Sequence, residues 1–110
     1  MWGFYVPAFF ANHAVAAVNS FCHTPRWPGG YRRYATTDAS VNRPLLALLT
    51  LGMGWHNNHH RCATPARAGF AWYEVDPTYY ALRFMQACRL IHSVKAALPD
   101  DVRREGGLAA

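Results

Sequence analysis

Charge is scarce in this sequence. Only 15% of the 110 residues are charged, and ten arginines and one lysine against six acids give a net charge of +5. Because 52% of the residues are hydrophobic and 15% aromatic, the composition excludes an intrinsically disordered chain. The positive charge is spread over several segments, which suits phosphates or anionic headgroups. It comes with no groove-reading motif, so a basic nucleic-acid-binding domain is the weakest hypothesis and no nucleic-acid partner is expected.

The number of cysteines and the chain length exclude further classes of protein. Cys22, Cys62 and Cys88 are an odd number at wide spacings, which excludes a disulfide framework and favours reduced thiols facing the cytosol. The apolar start lacks the basic region and cleavage site of a secretory signal, so none is expected. A length of 110 residues allows one domain and excludes a large enzyme with several sites.

Alternation of apolar and polar residues is almost absent, so we expect an all-α fold. Residues 1–23 predict an apolar helix, because "WGFYVPAFFANHAVAAVNSFC" carries no charge over 21 residues, about the length that crosses a bilayer. A transmembrane first helix is therefore an option. Asn12, His13 and Asn19 make the segment more polar than a lipid-facing helix, so a helix facing a bundle is the better interpretation, and a soluble core helix is an alternative.

The rest of the chain predicts shorter helices. Residues 24–43, with two prolines, a Gly-Gly pair and arginines, predict a loop in which Asp38 or Ser40 caps the next helix. That helix is expected over 44–60, because proline suits a first helical turn and the apolar run "PLLALLTLGMGW" follows.

The last helix is predicted over 76–98. Asp76 followed by Pro77 is a strong helix start, and apolar residues recur at helical spacing up to Pro99. The tail "DDVRREGGLAA" predicts no stable element.

Histidine, in contrast, is concentrated in "GWHNNHH" at 54–60. On a helix, His56 and His60 share a face, whereas adjacent His59 projects about 100° away from His60. Two imidazoles can therefore bind one metal while the third turns toward another, which favours a dinuclear site. Imidazole suits iron, zinc, copper or nickel, so the metal stays open. An exposed histidine patch is the alternative.

Two further features bear on this cluster. Asn19 and His23 are four residues apart at the end of the first helix, so their side chains can face one point. Cys62 follows His60 by two residues, which allows a different class of protein: a small histidine-rich module whose three clustered histidines and Cys62 hold a structural zinc. The other cysteines show no companion CxxC spacing.

Four stretches together resemble a known family. They are "VNSFCH" at 18–23, "TTDASVN" at 36–42, "LTLGMGWHNNHH" at 49–60 and "AGFAWYEVDPTYYALR" at 68–83. In order and spacing they resemble the C-terminal part of membrane fatty-acid desaturases of the Δ9 acyl-CoA or acyl-lipid type, and "HNNHH" resembles that family's third histidine box. The resemblance implies that residues 1–110 are the C-terminal portion of a helical membrane desaturase fold.

The resemblance also implies a function, a di-iron oxidoreductase that uses O₂ and two electrons to introduce a cis double bond into an acyl chain. By analogy, His23, His56 and His60 ligate one iron, Asn19 reaches that iron through a water, and His59 ligates the other iron. The implied partners are an acyl-CoA or acyl-lipid substrate, membrane lipid and an electron donor resembling cytochrome b5, ferredoxin or rubredoxin. The histidine cluster would lie on the cytosolic side of the membrane.

The chain departs from the family pattern in two ways. Gly52-Met53-Gly54 stands where the family commonly has an acidic residue, so the support that this carboxylate gives to the site is missing. The first and second histidine boxes are absent from these residues. Four potential ligands cannot complete two irons, so we expect this chain alone to be catalytically inactive.

Overall fold

A computed structural model of the chain describes residues 1–108. Within those residues the regular secondary structure is helical. Two isolated β-bridges also join Tyr31 to Asn42 and Asn42 to Trp55. The helices are α1 Trp2–Cys22, α2 Pro44–Leu49, α3 His56–Arg61, α4 Pro77–Ala87 and α5 Asp100–Glu105. The predicted helical class is confirmed, but three of the helices are only six residues long.

The first helix buries little of its surface. Only Val18 and Cys22 are buried along α1, and most of its large apolar side chains are exposed. Among residues 1–108, none of the helices combines the length and the apolar character that a membrane crossing requires. The prediction that the first helix could be transmembrane is therefore not supported. Its sequence is uncharged, but Asn12, His13 and Asn19 interrupt the apolar surface.

The helix expected over 44–60 is instead two helices, α2 and α3. Leu51 and Gly52 between them have φ angles of 55° and 107°, and a right-handed helix cannot continue through that region. The Gly52 N–H donates to the Ala47 carbonyl oxygen at 2.6 Å, which closes the end of α2. α2 begins at Pro44 as predicted, but no side chain caps it, so the predicted caps, Asp38 and Ser40, were wrong.

The tight turn between these helices depends on Gly54. A Cβ at this position would lie 2.2 Å from the Ala47 backbone nitrogen and 2.8 Å from the Arg43 carbonyl oxygen. Both neighbours are backbone atoms of the preceding helix and its entry, so they cannot move aside as a flexible side chain would. Trp55 and the histidines of α3 follow directly, so this close approach sets where α3 starts.

We expect Gly54→Ala to lower the free energy of unfolding by about 1–3 kcal/mol or more, the usual cost of forcing extra volume into a packed region. Chemical denaturation followed by circular dichroism would measure it. Gly3→Ala is the matched control, because, among residues 1–108 and apart from its chain neighbours and its own helix backbone, no atom lies within 4 Å of a Cβ there, and alanine favours a helix. Equal stability of the two variants would contradict the close packing at Gly54.

The fourth helix starts where the sequence predicted. Pro77 is its first residue, and Asp76 accepts a hydrogen bond from the Tyr79 N–H. The helix ends at Ala87 and not near residue 98, because Arg89 has a φ of 58° and the following N–H groups turn back to carbonyls of the last turn.

The predicted unstructured tail instead contains α5. Val102 on this helix is buried in a hydrophobic cluster with Tyr34 and Phe70. Arg61, the last residue of α3, forms ion pairs with Asp101 and Glu105. The C-terminal segment therefore packs close to the end of the histidine helix.

Candidate metal centre

Three histidines from two distant segments bring their ring nitrogens together. His23 follows the end of α1, and His56 and His60 lie one turn apart on α3. The Nε2 atom of His56 is 3.0 Å from Nε2 of His23 and 2.9 Å from Nε2 of His60. One ligand atom from each of the three residues lies within 4.8 Å of the others. The proximity of His56 and His60 that helical spacing predicted is therefore observed, and His23 joins them from a distant segment, while metal binding by these residues stays a prediction.

The geometry fits a transition-metal ion better than a set of hydrogen bonds. A neutral imidazole nitrogen carries either one hydrogen or one lone pair, so His56 Nε2 cannot form a full, linear hydrogen bond with both neighbours at once. Two nitrogens bound to one ion at about 2.1 Å and at a right angle lie about 3 Å apart. The two observed separations match that value.

Burial keeps the central ligand neutral. The His56 residue is only 9% exposed, and burial together with the neighbouring His60 and His23 lowers its pKa to about 4. At neutral pH the ring is therefore uncharged and retains the lone pair that a metal requires.

The two asparagines between the histidines hold α3 in place. Asn57 and Asn58 are fully buried. The side-chain oxygen of Asn57 accepts from the N–H groups of Arg33 and Tyr34, at 2.8 Å each, and its amide donates to the Tyr34 carbonyl oxygen. Asn58 exchanges hydrogen bonds with Asn42. These long-range bonds, more than helix propensity, determine the position of this short helix.

Glu74 completes this support from the opposite side. Its carboxylate is fully buried and accepts from the Asn58 amide at 2.9 Å. The same carboxylate accepts from Arg33, from the Tyr31 hydroxyl, and from the N–H groups of the two residues after Gly69. Burial favours the protonated acid, but the donors of Tyr31, the backbone and Arg33 outweigh it and lower the pKa of Glu74.

A buried arginine fixes the segment that carries His23. The Arg43 guanidinium donates to four backbone carbonyl oxygens at the end of α1 and in the loop after it, at 2.7–3.1 Å; the acceptors are Phe21, Thr24, Trp27 and Pro28. A cation is favourable at a helix C-terminus, where unpaired carbonyls carry partial negative charge. His23 lies within the stretch that Arg43 clamps.

His60 has a second partner on its other ring nitrogen. Its Nδ1 contacts the carboxylate of Asp38, which lies in the loop between α1 and α2. Hydrogen bonds from Ser40 and Thr36 to the same carboxylate hold the pKa of Asp38 well below its usual range. The loop thus presents an ionised group to the imidazole.

Asn19 and His59 lie outside the three-histidine group but next to it. His59 is beside His56, with 6.2 Å between ring centroids, and both rings line a cavity of about 240 Å³ whose wall includes Asn19. Most of the remaining lining is apolar or small; it comprises Val15, Val18, Leu51, Gly52, Met53, Ala66, Ala68, Asp76 and Thr78. His59 is not part of the three-histidine group, and the predicted division of the histidine box between two metals stays a prediction.

The structure does not place Cys62 with the histidines. Cys62 packs against the hydrophobic cluster of Tyr34, Phe70 and Val102. Among residues 1–108, His23, His56 and His60 form the one group of potential ligands close enough to share an ion. In the described part of the chain, Cys62 is therefore not grouped with the histidines of the alternative zinc module.

Several supporting residues were not identified from the sequence. Arg43, Asn42 and Glu74 carried no recognised local signal, since each has side-chain hydrogen bonds to partners 15 or more residues away. Asp38 was interpreted as a helix cap, because an acidic residue before an apolar run is the usual signature of one.

This chain is similar in sequence to proteins of one known family. The chain matches the family model for fatty acid desaturases over residues 1–89. It is 40% identical to icosanoyl-CoA 5-desaturase of Limnanthes douglasii over 105 residues, which cover 96% of this chain and 28% of that protein. No solved structure matches the chain significantly.

Two relatives from Arabidopsis thaliana show similar coverage. The Delta-9 desaturase-like 2 protein is 45% identical over 92 residues, which cover 84% of this chain and 29% of that protein. Delta-9 acyl-lipid desaturase 1 is 35% identical over 103 residues, which cover 94% of this chain and 32% of that protein. The chain spans less than a third of the length of each of these three relatives.

Proposed function

Since the chain belongs to the fatty acid desaturase family, we propose that it is the C-terminal part of a di-iron, O₂-dependent oxidoreductase that introduces a cis double bond into a fatty-acyl chain. The observation that carries the proposal is the convergence of three Nε2 atoms, from His23, His56 and His60, on one point. Histidine ligands suit iron, and the spacing of these nitrogens fits a shared ion.

The ligands divide between two irons. His23, His56 and His60 would hold one iron, and Asn19 would reach it through a water. His59, which lies outside that group, would hold the second. Further histidines outside these 110 residues complete both sites, because one to three imidazoles leave an iron under-coordinated. When bound, the two irons supply the oxidising chemistry that removes two hydrogens from a saturated chain with O₂ and two electrons.

The residues around the histidines position the substrate and exclude water. The cavity beside His56 and His59 has an apolar wall that includes Val15, Val18 and Met53. Such a lining suits an alkyl chain, and polar groups at one end of a cavity fix orientation. Apolar walls next to the ligands keep bulk water from the reacting carbons.

The relatives' names suggest the substrate class. One is named for an acyl-CoA and another for an acyl-lipid, so we propose that the complete protein acts on one of these two classes. It would work at a membrane, with membrane lipid around it and the histidine cluster on the cytosolic side. Electrons would come from a donor resembling cytochrome b5, ferredoxin or rubredoxin.

We expect the 110-residue chain to have no desaturase activity, because its histidines cannot complete either iron. The assay would incubate the detergent-solubilised chain with ferrous iron, a reductant, O₂ and a saturated acyl-CoA, and measure unsaturated product by mass spectrometry. The control is a longer chain that also contains the upstream histidine boxes, which should form product. Product from the 110 residues alone would show that the proposal of an incomplete enzyme is wrong.

A further inference from the structure

Asp38 contacts the histidine cluster without belonging to its ligands. One oxygen of its carboxylate contacts Nδ1 of His60, while Nε2 of the same ring is 2.9 Å from Nε2 of His56. Both nitrogens of His60 are therefore engaged, one by a carboxylate and the other by the cluster. The Asp38 and His60 side chains are 30% and 31% exposed, so the pair lies at the edge of the site.

Hydrogen bonds within the chain hold the Asp38 carboxylate in position without a bound metal ion. Its other oxygen accepts from the Thr36 hydroxyl at 2.8 Å and from the Ser40 N–H at 2.9 Å. The hydroxyls of Thr36 and Ser40 are also within 3.3 Å of the buried Asn57 amide. Because Asn57 lies on the same helix as His60, the loop that carries Asp38 and the helix that carries the imidazole are tied into one network.

The contact decides which nitrogen of His60 keeps its lone pair. A neutral imidazole has one N–H and one lone pair. A carboxylate accepts and cannot donate, so Nδ1 must carry the hydrogen and Nε2 the lone pair. Histidine ligands of metals commonly donate their second N–H to a carboxylate in this way, which fixes the tautomer and the ring orientation.

We propose that Asp38 is a positioning residue of the metal centre: its carboxylate, preset by Thr36 and Ser40, holds His60 as the Nδ1–H tautomer and aims the Nε2 lone pair at the ion shared with His23 and His56. This inference rests on the proposed function of the cluster. It adds a residue from the "TTDASVN" segment that is not itself a ligand.

Asp38→Asn is the sharpest test. The asparagine oxygen can still accept from Thr36 and Ser40, so the loop keeps its anchors, but the NH₂ group then faces His60 Nδ1. A donor there favours the lone pair on Nδ1 and the hydrogen on Nε2, which is the wrong tautomer for binding. Replacing an aspartate that orients an imidazole has this effect in the serine-protease triad.

Two measurements on the detergent-solubilised chain follow from this. Nitrogen-15 NMR of the metal-free chain should show His60 as the Nδ1–H tautomer in the parent and as the Nε2–H tautomer in Asp38→Asn. Titration with Co²⁺, followed by its visible spectrum, should give an affinity about 10–100-fold lower for the variant, the usual effect of losing a ligand's hydrogen-bond partner. Asp100→Asn is the matched control, an exposed aspartate at the start of α5, and should change neither result.

The possible outcomes distinguish the role of Asp38 from metal binding by the histidine cluster. An unchanged tautomer with unchanged affinity would overturn the role of Asp38. Loss of the helical circular dichroism signal in Asp38→Asn would also overturn it, because Asp38 would then maintain the fold instead of the imidazole. If the parent chain bound no Co²⁺ at all, His23, His56 and His60 would not form a metal site by themselves, which would count against the proposed function, and the NMR result would still decide which tautomer Asp38 imposes.

Discussion

Replacing His56 with alanine is expected to remove metal binding from the histidine cluster. His56 supplies the central nitrogen, which lies within 3.0 Å of Nε2 in both other ligands, so its loss leaves two imidazoles with no shared neighbour. The affinity for Co²⁺ should fall by more than the roughly 10–100-fold that loss of a ligand's hydrogen-bond partner costs. Titration of the detergent-solubilised chain, with circular dichroism to check folding, measures this.

Two control variants make the result specific. His59→Ala changes the same helix but a residue outside the three-nitrogen group, so it should retain most of the Co²⁺ affinity. His92→Ala changes an exposed histidine that follows α4 and should have no effect. The helix predicted over 76–98 included His92, whereas the observed helix ends at Ala87. In either case His92 is exposed and is not part of the three-histidine group, which makes it a suitable control.

The same series can be made in a longer chain with the upstream histidine boxes. There, His56→Ala and His60→Ala should abolish desaturation, since each removes a direct ligand. Asn19→Ala should be milder, because its proposed contact runs through a water, and His92→Ala should match the parent. If His56→Ala retained both its iron and its activity, the "HNNHH" segment would not be the metal site.

The sequence predicted the histidine geometry well because that geometry is local. His56 and His60 are one turn apart on α3, and their positions follow from 3.6 residues per turn. The proximity of His23 to His56 did not follow from sequence spacing, since 33 residues separate the two. It was expected only through the family resemblance. The structure brings the two together through the Arg43 clamp and the tight turn at Gly54.

The parts of the fold that the sequence did not predict depend on contacts between distant residues. The segment after Pro44 has no charged residue and no further proline up to residue 60, so the sequence pattern extends the helix to 60, while the left-handed backbone at Leu51 and Gly52 ends it early. Asn57 and Asn58 look like poor helix residues, and their buried partners in the 31–42 region and at Glu74 explain why they occur there. A sequence pattern read over the length of one helix does not include these distant partners of Asn57 and Asn58.

Glu74 is expected to be the most sensitive supporting residue, and Glu74→Gln is the change that isolates its charge. All the groups that contact its two oxygens are donors, contributed by Tyr31, Arg33, Asn58 and two backbone N–H groups. A glutamine has one acceptor oxygen and one donor NH₂, so in either orientation the NH₂ group faces donors. Breaking a buried ion pair typically costs about 3–5 kcal/mol.

That loss is large relative to the stability of a small domain, about 5–15 kcal/mol, so Glu74→Gln should be much less stable than the parent in urea denaturation followed by circular dichroism. Glu105→Gln is the matched control, because it makes the same change in a partly exposed pair with Arg61. Exposed pairs contribute about 0–1 kcal/mol, so the control should stay near the parent. Equal stability of both variants would contradict the role of Glu74.

The effect of Glu74→Gln should also depend on pH in a defined direction. The pKa of Glu74 is lower in the folded chain than its ordinary value, so its stabilising contribution is fully present above the pKa of the unfolded chain, about 4.3. The contribution is lost as the pH falls through the lower folded pKa, because the unfolded chain binds the proton first. The stability difference between parent and Glu74→Gln should therefore be greatest at neutral pH and shrink below about pH 4. A difference that stayed constant from pH 7 to pH 3 would show that the charge on Glu74 does not stabilise the fold, and that only the shape of the side chain matters beneath α3.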